Sequence, residues 1–467
     1  MLERRTKIVA TLGPATDAPG VLDRLVAAGM DCARLNCSHG DADALKRRAA
    51  DVRDAAQRCG RPLGLLFDLQ GPKLRLNGDT AEQMMQTGDT ITFSEDGPGP
   101  GRVIVDFVGF SRLVTDRSQV VIGDGVPRFA VEAIRPGEVD CRTISPGRLA
   151  PRKGINVTHA RPELPAITEK DAIDLELAVE LEADFVALSF VRSAQDIEEL
   201  ATRLKDLGSR ARTIAKIEKI EAYERLDEIV KVANGVMVAR GDFGVEAGVA
   251  RVPLMQKDTI FRATQAGKLV ITATQMLESM IQAPEPTRAE ATDVANAVID
   301  GTSAVMLSAE TSVGSYPVEA VTTMAEIAEA AEASPVIHGR ALSVEPESAA
   351  GAVMHAAVNL AGEIGAGALV VPTSTGRAPR AVSKYRQRLP IIAPAHETRV
   401  ANQLTLEWGV YPTMMGVAET VDDMIDMALE TARDFGGIAS GTDVVLTAGR
   451  RTGTPGATNL IMVREIP

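Results

Sequence analysis

Two charged side chains stand at the end of an apolar segment in the middle of the chain. Residues 213–218 read Thr-Ile-Ala-Lys-Ile-Glu, a pattern that predicts a buried strand. Because side chains alternate along a strand, Lys216 and Glu218 share one face and Ile217 lies on the other. Buried charges are costly unless something uses them, and α/β folds keep their active sites at the carboxyl ends of parallel strands. Taken alone, the pair could also be a structural salt bridge.

Polar residues end five other predicted strands in the same way. They are Arg34, Asn36 and Ser38 on the second strand, Asp68 on the third, Arg240, Gly241 and Asp242 on the sixth, Thr274 on the seventh, and Ser308 with Glu310 on the eighth. Each of them could singly be a helix cap or a satisfied polar group. Six parallel strands would place these polar residues together at one open end of the fold, which we call the mouth. Such a set indicates a site for chemistry instead.

The residue types in this set indicate the kind of chemistry. Glu218 and Asp242 offer hard oxygen ligands for Mg²⁺, which usually keeps waters and takes further ligands from its substrate. Lys216 and Arg34 are cations suited to an anion whose charge develops during a reaction. The sequence has no Ser–His–Asp set, no cysteine beside a histidine and no Walker loop. These features favour phosphoryl transfer or enolate chemistry.

The elements that must position these residues alternate between apolar strands and helical patterns. The predicted strands cover residues 7–12, 32–38, 63–68, 185–190, 213–218, 235–239, 269–274 and 303–308. Eight strand–helix units predict an α/β fold of the (β/α)₈ TIM-barrel type. Two doubly wound domains are the alternative, but no dinucleotide glycine fingerprint follows the first strand.

Two further regions interrupt or follow the barrel, which we assign to residues 1–70 plus 154–340. Residues 71–153 are rich in Gly, Pro, Thr and Val with short alternating segments, and we expect a small inserted β-barrel lid domain after strand three. Residues 341–467 contain four more apolar strands between helical segments. They predict a separate C-terminal doubly wound α/β domain.

Composition excludes several classes of partner. The 467 residues carry a net charge of −13 and only 3% aromatic residues, so we expect neither nucleic acid nor a membrane as a partner. The four cysteines, Cys32, Cys37, Cys59 and Cys141, fit neither a disulfide framework nor a metal-binding spacing. We therefore expect a reduced, cytoplasmic protein.

The candidate residues lie in long motifs that together resemble the pyruvate kinase family. The motifs are TKIVATLGP from residue 6, ARLNCSHG from residue 33, DLQGPK from residue 68, AKIE from residue 215, ARGD from residue 239, ATQMLESM from residue 273 and PTRAE from residue 286. The resemblance runs from Thr6 to near the end of the chain. It implies transfer of the phosphoryl group of phosphoenolpyruvate to ADP, giving pyruvate and ATP, which is the last step of glycolysis.

The resemblance also implies roles for individual residues. Lys216 would stabilise the phosphoryl group in transit, and Arg34 would grip the substrate phosphate. Glu218 and Asp242 would hold Mg²⁺ or Mn²⁺, and the backbone N–H groups of Gly241 and Asp242 would hold the substrate carboxylate at a helix N-terminus.

Further positions match family residues near the enolate and the nucleotide. Thr274 matches a residue beside the enolate carbon that takes up a proton, and we regard it as a positioning residue. Nucleotide-contacting positions correspond to Asn36, Cys37, Ser38, His39, Arg75 and Lys153. The inserted domain would close over them as a lid and exclude water.

One departure from the family pattern concerns K⁺. Many members hold K⁺ at positions matching Asn36, Ser38, Asp68 and the carbonyl of Leu69. This chain has Lys73 where those members carry a glutamate, so it resembles a K⁺-independent subgroup. We expect the Lys73 ammonium to lie near Asp68 and to replace the monovalent ion, although a solvated surface lysine is the alternative.

The C-terminal region carries a candidate phosphate cradle. Residues 373–377, Thr373, Ser374, Thr375, Gly376 and Arg377, follow a strand and open a predicted helix. In the family this position binds a phosphorylated effector, with help from a late loop that includes Arg451. An ordinary capped turn is the alternative interpretation.

Two other functions stay open from the residues themselves. One is a Mg²⁺-dependent enolate-forming aldolase or lyase on the same barrel, and the other is a non-catalytic metabolite sensor. The predicted lid and Lys216 argue against an aldolase or lyase. The presence of both Lys216 and Asp242 argues against a non-catalytic sensor. A homotetramer is implied by the resemblance alone.

Overall fold

The first three strands of the barrel form at the predicted places, and helices follow the first two. The computed structural model describes the chain apart from residues 1–3, 98, 100, 124, 160–164, 335–345, 347 and 450–457. The first elements are β1 (Lys7–Thr11), α1 (Val21–Ala27), β2 (Cys32–Asn36), α2 (Ala42–Cys59) and β3 (Gly64–Asp68). Helix α2 begins where the side chain of Asp41 accepts a hydrogen bond from the Ala44 N–H, and it ends at Gly60 in the left-handed conformation.

The lid follows β3 and consists of short, mostly antiparallel strands. Its elements are β4 (Leu74–Arg75), β5 (Gln83–Met85), β6 (Thr90–Ser94), β7 (Arg102–Ile104), α3 (Phe110–Leu113), β8 (Gln119–Ile122), β9 (Arg128–Arg135), β10 (Glu138–Ser145), β11 (Gly147–Leu149) and β12 (Gly154–Val157). The main sheet has the order β4-β12-β8-β9-β10-β6-β7, and β11 pairs with β5. Phe93 lies at the centre of the lid core, against Phe110 and Phe129.

The end of the lid differs from the sequence prediction. Strand β12 pairs with β4 and β8, so residues 154–157 belong to the lid sheet by hydrogen bonding. The predicted return to the barrel after residue 153 is therefore a few residues too early. The predicted boundary at residue 341 lies outside the described residues.

The barrel resumes after the lid with a regular alternation of strands and helices. Its elements are α4 (Glu169–Glu180), β13 (Phe185–Leu188), α5 (Ala194–Asp206), β14 (Arg212–Ile217), α6 (Ile220–Glu224), α7 (Leu226–Val232), β15 (Gly235–Ala239), α8 (Arg240–Ala247), α9 (Val252–Gln265), β16 (Leu269–Ala273), α10 (Arg288–Ile299), β17 (Ala304–Leu307), α11 (Ala309–Ser312) and α12 (Pro317–Ala333).

Eight parallel strands close into one barrel in the order β1-β17-β16-β15-β14-β13-β3-β2. This confirms the predicted (β/α)₈ architecture. Alternation along β14 is visible in the packing, since Ile214 belongs to the cluster inside the barrel while Ala215 and Ile217 belong to the layer between strands and helices. Lys216 therefore lies on the inner face, as the sequence predicted.

The C-terminal region forms a separate five-stranded sheet. Its elements are α13 (Ala349–Glu363), β18 (Leu369–Val370), α14 (Arg377–Ser383), β19 (Ile391–Ala395), α15 (Thr398–Leu404), β20 (Val410–Met414), α16 (Val421–Gly436), β21 (Asp443–Gly449) and β22 (Thr458–Glu465). The strand order is β20-β19-β18-β21-β22, and β22 runs antiparallel to β21. The four predicted strands are present, whereas the antiparallel edge strand β22 was not predicted.

This sheet domain packs against the amino ends of the barrel strands. Leu406 belongs to the cluster inside the barrel, and Arg212 at the start of β14 pairs with Glu407 at 2.5 Å. The carboxyl ends of the strands are thus left open for the lid and the candidate site. None of the described helices has the length and apolarity that a membrane span needs.

Candidate active site

Lys216 is held by three neighbours at the mouth of the barrel. Its Nζ donates to Ser189 Oγ at 2.7 Å and lies 3.2 Å from Asp68 Oδ1 and 3.1 Å from Glu218 Oε1. Only 11% of its side chain is exposed. Burial alone would lower the pKa of Lys216, but Asp68 and Glu218 outweigh burial and raise that pKa. The ammonium is therefore charged at neutral pH.

Arg34 is fixed by the same aspartate. Its Nε and Nη2 each lie 2.8 Å from Asp68 Oδ2, and its Nη1 donates to Thr11 Oγ1 at 2.9 Å. Burial alone would raise the pKa of Asp68, but Lys216 and Arg34 outweigh it and lower that pKa. The carboxylate of Asp68 stays charged and orients both cations toward the mouth.

Glu218 and Asp242 come from neighbouring strand ends. Glu218 is 1% exposed, and its Oε2 accepts the N–H of Phe190 at 2.7 Å. Asp242 lies in the first turn of α8, which follows β15 directly. Burial raises the pKa of Glu218, and the charge of Asp242 adds to this while Lys216 opposes it. The two carboxylates are thus close enough to interact electrostatically.

The donor set of these two carboxylates fits a hard cation that keeps part of its water shell. Across the described parts of the chain, no group of three or more His, Cys, Asp or Glu side chains could hold a metal ion. Mg²⁺ takes one or two protein carboxylates and fills its remaining positions with water and substrate oxygens. Glu218 and Asp242 therefore suit Mg²⁺ or Mn²⁺ better than an ion that needs a complete protein cage.

Thr274 and Gly241 contact each other across the mouth. The N–H of Gly241 donates to Thr274 Oγ1 at 2.8 Å, and that hydroxyl donates to the Ala273 carbonyl at 2.6 Å. The prediction of a helix N-terminus at Gly241 is confirmed by α8, but its N–H is bonded to Thr274 rather than free. A substrate carboxylate would therefore meet Gly241 and the Thr274 hydroxyl together.

The backbone around Thr274 is held in an unusual conformation by Arg240. Thr274 and Gln275 have φ values of 68° and 53°, in the left-handed region. Arg240 Nη2 donates to the carbonyls of Thr274 at 2.6 Å and Gln275 at 3.1 Å. Such strain persists only where surrounding contacts over-determine it, and here a buried guanidinium supplies those contacts.

A cavity of about 460 Å³ separates the barrel mouth from the lid. His39 and Asp242 line it from the barrel, and Arg75 and Lys153 line it from the lid side. Partial burial and the nearby cations Arg75, Lys73 and Arg34 lower the pKa of His39, so its imidazole is neutral at pH 7. The predicted nucleotide residues His39, Arg75 and Lys153 are thus brought together.

Comparison with known proteins agrees with this geometry. The family model described as "Pyruvate kinase, barrel domain" matches residues 3–321, and the model described as "Pyruvate kinase, alpha/beta domain" matches residues 351–464. The pyruvate kinase of Geobacillus stearothermophilus is 41% identical over 478 residues, which cover 100% of this chain and 81% of that protein. The pyruvate kinase of Clostridium perfringens is 37% identical, with coverage of 99% of this chain and 100% of that protein. The chain belongs to the pyruvate kinase family.

Two of the candidate residues, Cys37 and Glu310, are almost completely buried. Cys37 is 1% exposed and packs in the layer between barrel and helices, and its assignment as a nucleotide-contacting residue stays a prediction. Glu310, placed at the mouth by its sequence position, is 2% exposed and accepts the N–H groups of Ser308 and Leu277. Its role in the structure is to cap backbone, because buried N–H groups need an acceptor.

The predicted monovalent-cation pocket is also arranged differently. Lys73 is exposed and lines the cavity under the lid. Asp68 pairs with Arg34 and Lys216, and no ion pair between Lys73 and Asp68 is found within the described residues. Two buried cations already pair with that carboxylate, and the prediction that the Lys73 ammonium replaces the monovalent ion near Asp68 stays a prediction.

The remaining residues of that pocket bond to each other or to neighbours. The Leu69 carbonyl accepts a hydrogen bond from Ser189 Oγ at 2.7 Å, and the N–H of Ser38 donates to Asn36 Oδ1 at 3.1 Å. Asn36 pairs in register with Asp68 across β2 and β3. The Leu69 carbonyl and Asn36 Oδ1 are thus already hydrogen-bonded within the chain.

The candidate effector loop is a tight turn before α14. The N–H of Gly376 donates to Thr373 Oγ1 at 2.8 Å, and Arg380 Nη2 donates to the Thr375 carbonyl at 2.6 Å. Arg377 is exposed at the first position of α14, so residues 373–377 open a helix as predicted. Arg451 lies outside the described residues, so the second half of this predicted site has no structural account.

Ser189 is the site residue that the sequence analysis missed. It bonds both Lys216 and the Leu69 carbonyl, and so joins β3, β13 and β14 at the mouth. The signal was available, because Ser189 is a polar residue at the end of an apolar run, like those on the other strands.

Proposed function

We propose that this chain transfers the phosphoryl group of phosphoenolpyruvate to ADP. The bond between phosphorus and the enol oxygen breaks, a bond to a β-phosphate oxygen of ADP forms, and the enolate takes up a proton at carbon to become pyruvate. The observation that carries the proposal is the charged Lys216, held by Asp68, Glu218 and Ser189 at the open end of a closed barrel. Pyruvate kinase relatives match the chain along its full length.

The cations of the mouth would bind and neutralise the transferring group. Arg34 would grip the substrate phosphate, since Asp68 and Thr11 leave its guanidinium only limited freedom. Lys216, on β14, would contact the same phosphate. It would stabilise the negative charge that develops during the transfer. Positioning plus charge neutralisation is nearly all that phosphoryl transfer asks of a protein.

The carboxylates, Thr274 and the lid would complete the arrangement. Glu218 and Asp242 would hold Mg²⁺ or Mn²⁺, which when bound supplies positive charge to the carboxylate and phosphate of the substrate. Thr274 would position the enolate for protonation. The lid would exclude water, which would otherwise accept the phosphoryl group.

The aldolase or lyase alternative receives less support. That chemistry also uses carboxylates and a divalent ion, but it has no need for a cation-lined cavity between barrel and lid. Arg75, Lys153 and Lys73 line that cavity in addition to the mouth residues, which suits a polyphosphate.

The experiment is a coupled assay of pyruvate formation with phosphoenolpyruvate and ADP, comparing the natural chain with Lys216→Met. We expect activity that needs Mg²⁺ or Mn²⁺, and a loss of about 10³-fold or more in kcat for the variant. Circular dichroism would check that the variant stays folded. Unchanged ATP synthesis in Lys216→Met, or binding without turnover in the natural chain, would contradict the proposal.

The chain is further proposed to bind a phosphorylated effector at residues 373–377. The exposed Arg377 and the turn at Gly376 support this. We expect a sugar phosphate or AMP to shift the saturation curve for phosphoenolpyruvate. Identical curves with and without a panel of such compounds would count against it.

A cytoplasmic location and assembly into a homotetramer complete the proposal. The former is supported by four free thiols, Cys32, Cys37, Cys59 and Cys141. The latter is supported by membership of the family and by an exposed apolar face on α9.

A further inference from the structure

Lys219 follows the candidate metal ligand Glu218 directly, and the proposed chemistry does not use it. Its side chain is 17% exposed. Its ammonium pairs with the carboxylate of Glu246 and donates to Asn156 Oδ1 at 3.0 Å. We call these three residues the Lys219 clasp.

The Lys219–Glu246 pair connects the backbone segments of the two metal-binding carboxylates. Glu246 lies on α8 four residues after Asp242, so the two side chains lie on the same face of the helix, one turn apart. Only 2% of the Glu246 side chain is exposed. Since Lys219 is adjacent to Glu218 in the chain, the pair fixes how far the end of β14 lies from the first turns of α8.

Asn156 brings the lid into the same arrangement. It lies on β12, the strand that returns the chain from the lid to the barrel. The Nδ2 atom of Asn156 is buried without a hydrogen-bond partner in the described part of the chain, so the bond from Lys219 anchors this side chain. The Lys219 ammonium also lies 6.0 Å from the ring centre of Phe190, whose N–H holds Glu218.

We propose that Lys219 is a positioning residue that sets the spacing of Glu218 and Asp242 and couples this spacing to the position of the lid. The proposal rests on the function proposed above, because it presumes that these carboxylates hold a divalent ion. Residues that orient metal ligands typically change metal affinity by about 10- to 100-fold when they are lost.

The first test measures Mn²⁺ binding to the substrate-free protein, by the electron paramagnetic resonance signal of free Mn²⁺. Lys219→Met and Glu246→Gln change the local charge in opposite directions. A pure charge effect would tighten Mn²⁺ binding in the first variant and weaken it in the second. A positioning role weakens binding in both, by about tenfold, with Lys219→Arg close to the natural chain.

Coupling between the partners gives a second criterion. The double variant Lys219→Met/Glu246→Gln should bind Mn²⁺ no more weakly than the poorer single variant, because both changes remove the same contact. Additive losses, tighter binding in Lys219→Met, or natural affinity in both single variants would each overturn the proposal.

The proposed coupling between the Lys219 clasp and the lid is tested with Asn156→Ala. We expect faster hydrogen–deuterium exchange in residues 154–157 and a severalfold higher KM for ADP, with Mn²⁺ affinity within about twofold of the natural value. Lys219→Met should show both the lid effect and the metal effect. Unchanged hydrogen–deuterium exchange and an unchanged KM for ADP in both Asn156→Ala and Lys219→Met would contradict the coupling to the lid.

Arg203→Met is the matched control, because Arg203 on α5 pairs with Glu199 at 2.7 Å, away from the mouth. It should leave Mn²⁺ affinity and KM unchanged. Failure of the proposed function appears separately, as absent turnover and absent Mn²⁺ binding in the natural chain, and would overturn the clasp too. A natural chain that turns over, beside a Lys219→Met variant with natural Mn²⁺ affinity, would overturn the clasp alone.

Discussion

At the scale of single residues, Asp68 supports both cations of the mouth. Its two oxygens are divided between Lys216 and Arg34, and its carboxylate is almost completely buried. Removing one partner from such a buried set leaves an uncompensated charge, which is strongly unfavourable. The family resemblance predicts a monovalent ion near Asp68, whereas in the structure two side chains balance its negative charge.

A prediction about K⁺ follows from this distribution of charge. Because Arg34 and Lys216 already neutralise Asp68 and Lys73 adds a cation to the adjacent cavity, we expect full activity without K⁺. Lys73→Glu should create a requirement for K⁺, since it places a carboxylate at the cavity. The measurement is kcat with K⁺, Na⁺ or tetramethylammonium as the monovalent cation.

Two outcomes would contradict this prediction. One is a many-fold loss of turnover when tetramethylammonium replaces K⁺ in the natural chain. The other is a Lys73→Glu variant that responds to none of the three cations.

Asp184 gives a prediction about pH. It is 1% exposed at the amino end of β13, where it accepts hydrogen bonds from the Leu65 N–H and from Arg53. Burial raises its pKa from 3.8 to about 6 in spite of Arg53. The protonated form is thus favoured by folding, so the stabilisation is complete below about pH 4 and is lost as pH rises through about 6.

The variant Asp184→Asn does not titrate and serves as the reference. Between pH 4 and pH 7 the stability of the natural chain should fall relative to the variant by about 2 kcal/mol, which is most of the roughly 3 kcal/mol that a full shift of about 2 pKa units is worth. The apparent Tm of both proteins across this pH range measures the effect. A difference in Tm that is the same at pH 4 and pH 7 would contradict it.

At the scale of elements, the turn from β3 into the lid is packed against the site. Gly71 has a φ of 68°, and its N–H donates to the buried Asp171 at 3.0 Å. A Cβ at Gly71 would come within 3.0 Å of Ser189 and Phe190. Ser189 is hydrogen-bonded to Lys216, and Phe190 is hydrogen-bonded to Glu218. A displacement of the turn would therefore also displace these two site residues.

Gly71→Ala should therefore reduce kcat by about 10- to 100-fold through displacement of Ser189 and Phe190. Gly60→Ala is the control, because Gly60 has a similar φ of 62° and a Cβ added there would meet nothing within 4 Å. Both variants carry the strain of a left-handed alanine, about 1–2 kcal/mol, but only the first meets the site. Equal kcat in the two variants, measured in the coupled assay, would show that contact at Gly71 is unimportant.

At the scale of the whole molecule, helix α9 presents an apolar face to solvent. Leu254 and Phe261 lie seven residues apart, on one side of the helix, and are 70% and 55% exposed. Val249, just before the helix, is 82% exposed. An apolar helix face of this kind is a candidate contact surface, and we assign it to a second copy of the chain in the proposed homotetramer.

Leu254→Glu should convert the proposed tetramer into a smaller species, because it buries a charge in that contact. Light scattering after size-exclusion chromatography measures the mass. Val108→Glu, at a residue on the lid that is 81% exposed, is the control and should leave the mass unchanged. A Leu254→Glu protein of the same mass as the natural chain would exclude α9 from the interface.

The C-terminal domain contacts the barrel at the amino ends of the barrel strands, opposite the mouth. Leu406 enters the barrel interior, and Glu407 holds Arg212 at the start of β14, the strand that carries Lys216 near its other end. The C-terminal domain and the mouth therefore contact opposite ends of the same barrel strand.

The sequence by itself determined the barrel, the lid and the mouth residues Lys216, Glu218, Asp242 and Arg34. Local patterns suffice for these, because a two-residue period decides which side chains face inward and parallel strands put their carboxyl ends at one rim. Motifs that span the chain added the family.

Only the tertiary structure decided which charges neutralise each other. Lys73 lines the cavity under the lid instead of pairing with Asp68, Ser189 joins three strands, and Lys219 meets Glu246 and Asn156 from two other parts of the chain. Electrostatic partners are chosen by distance and burial in space, which spacing along a sequence does not encode.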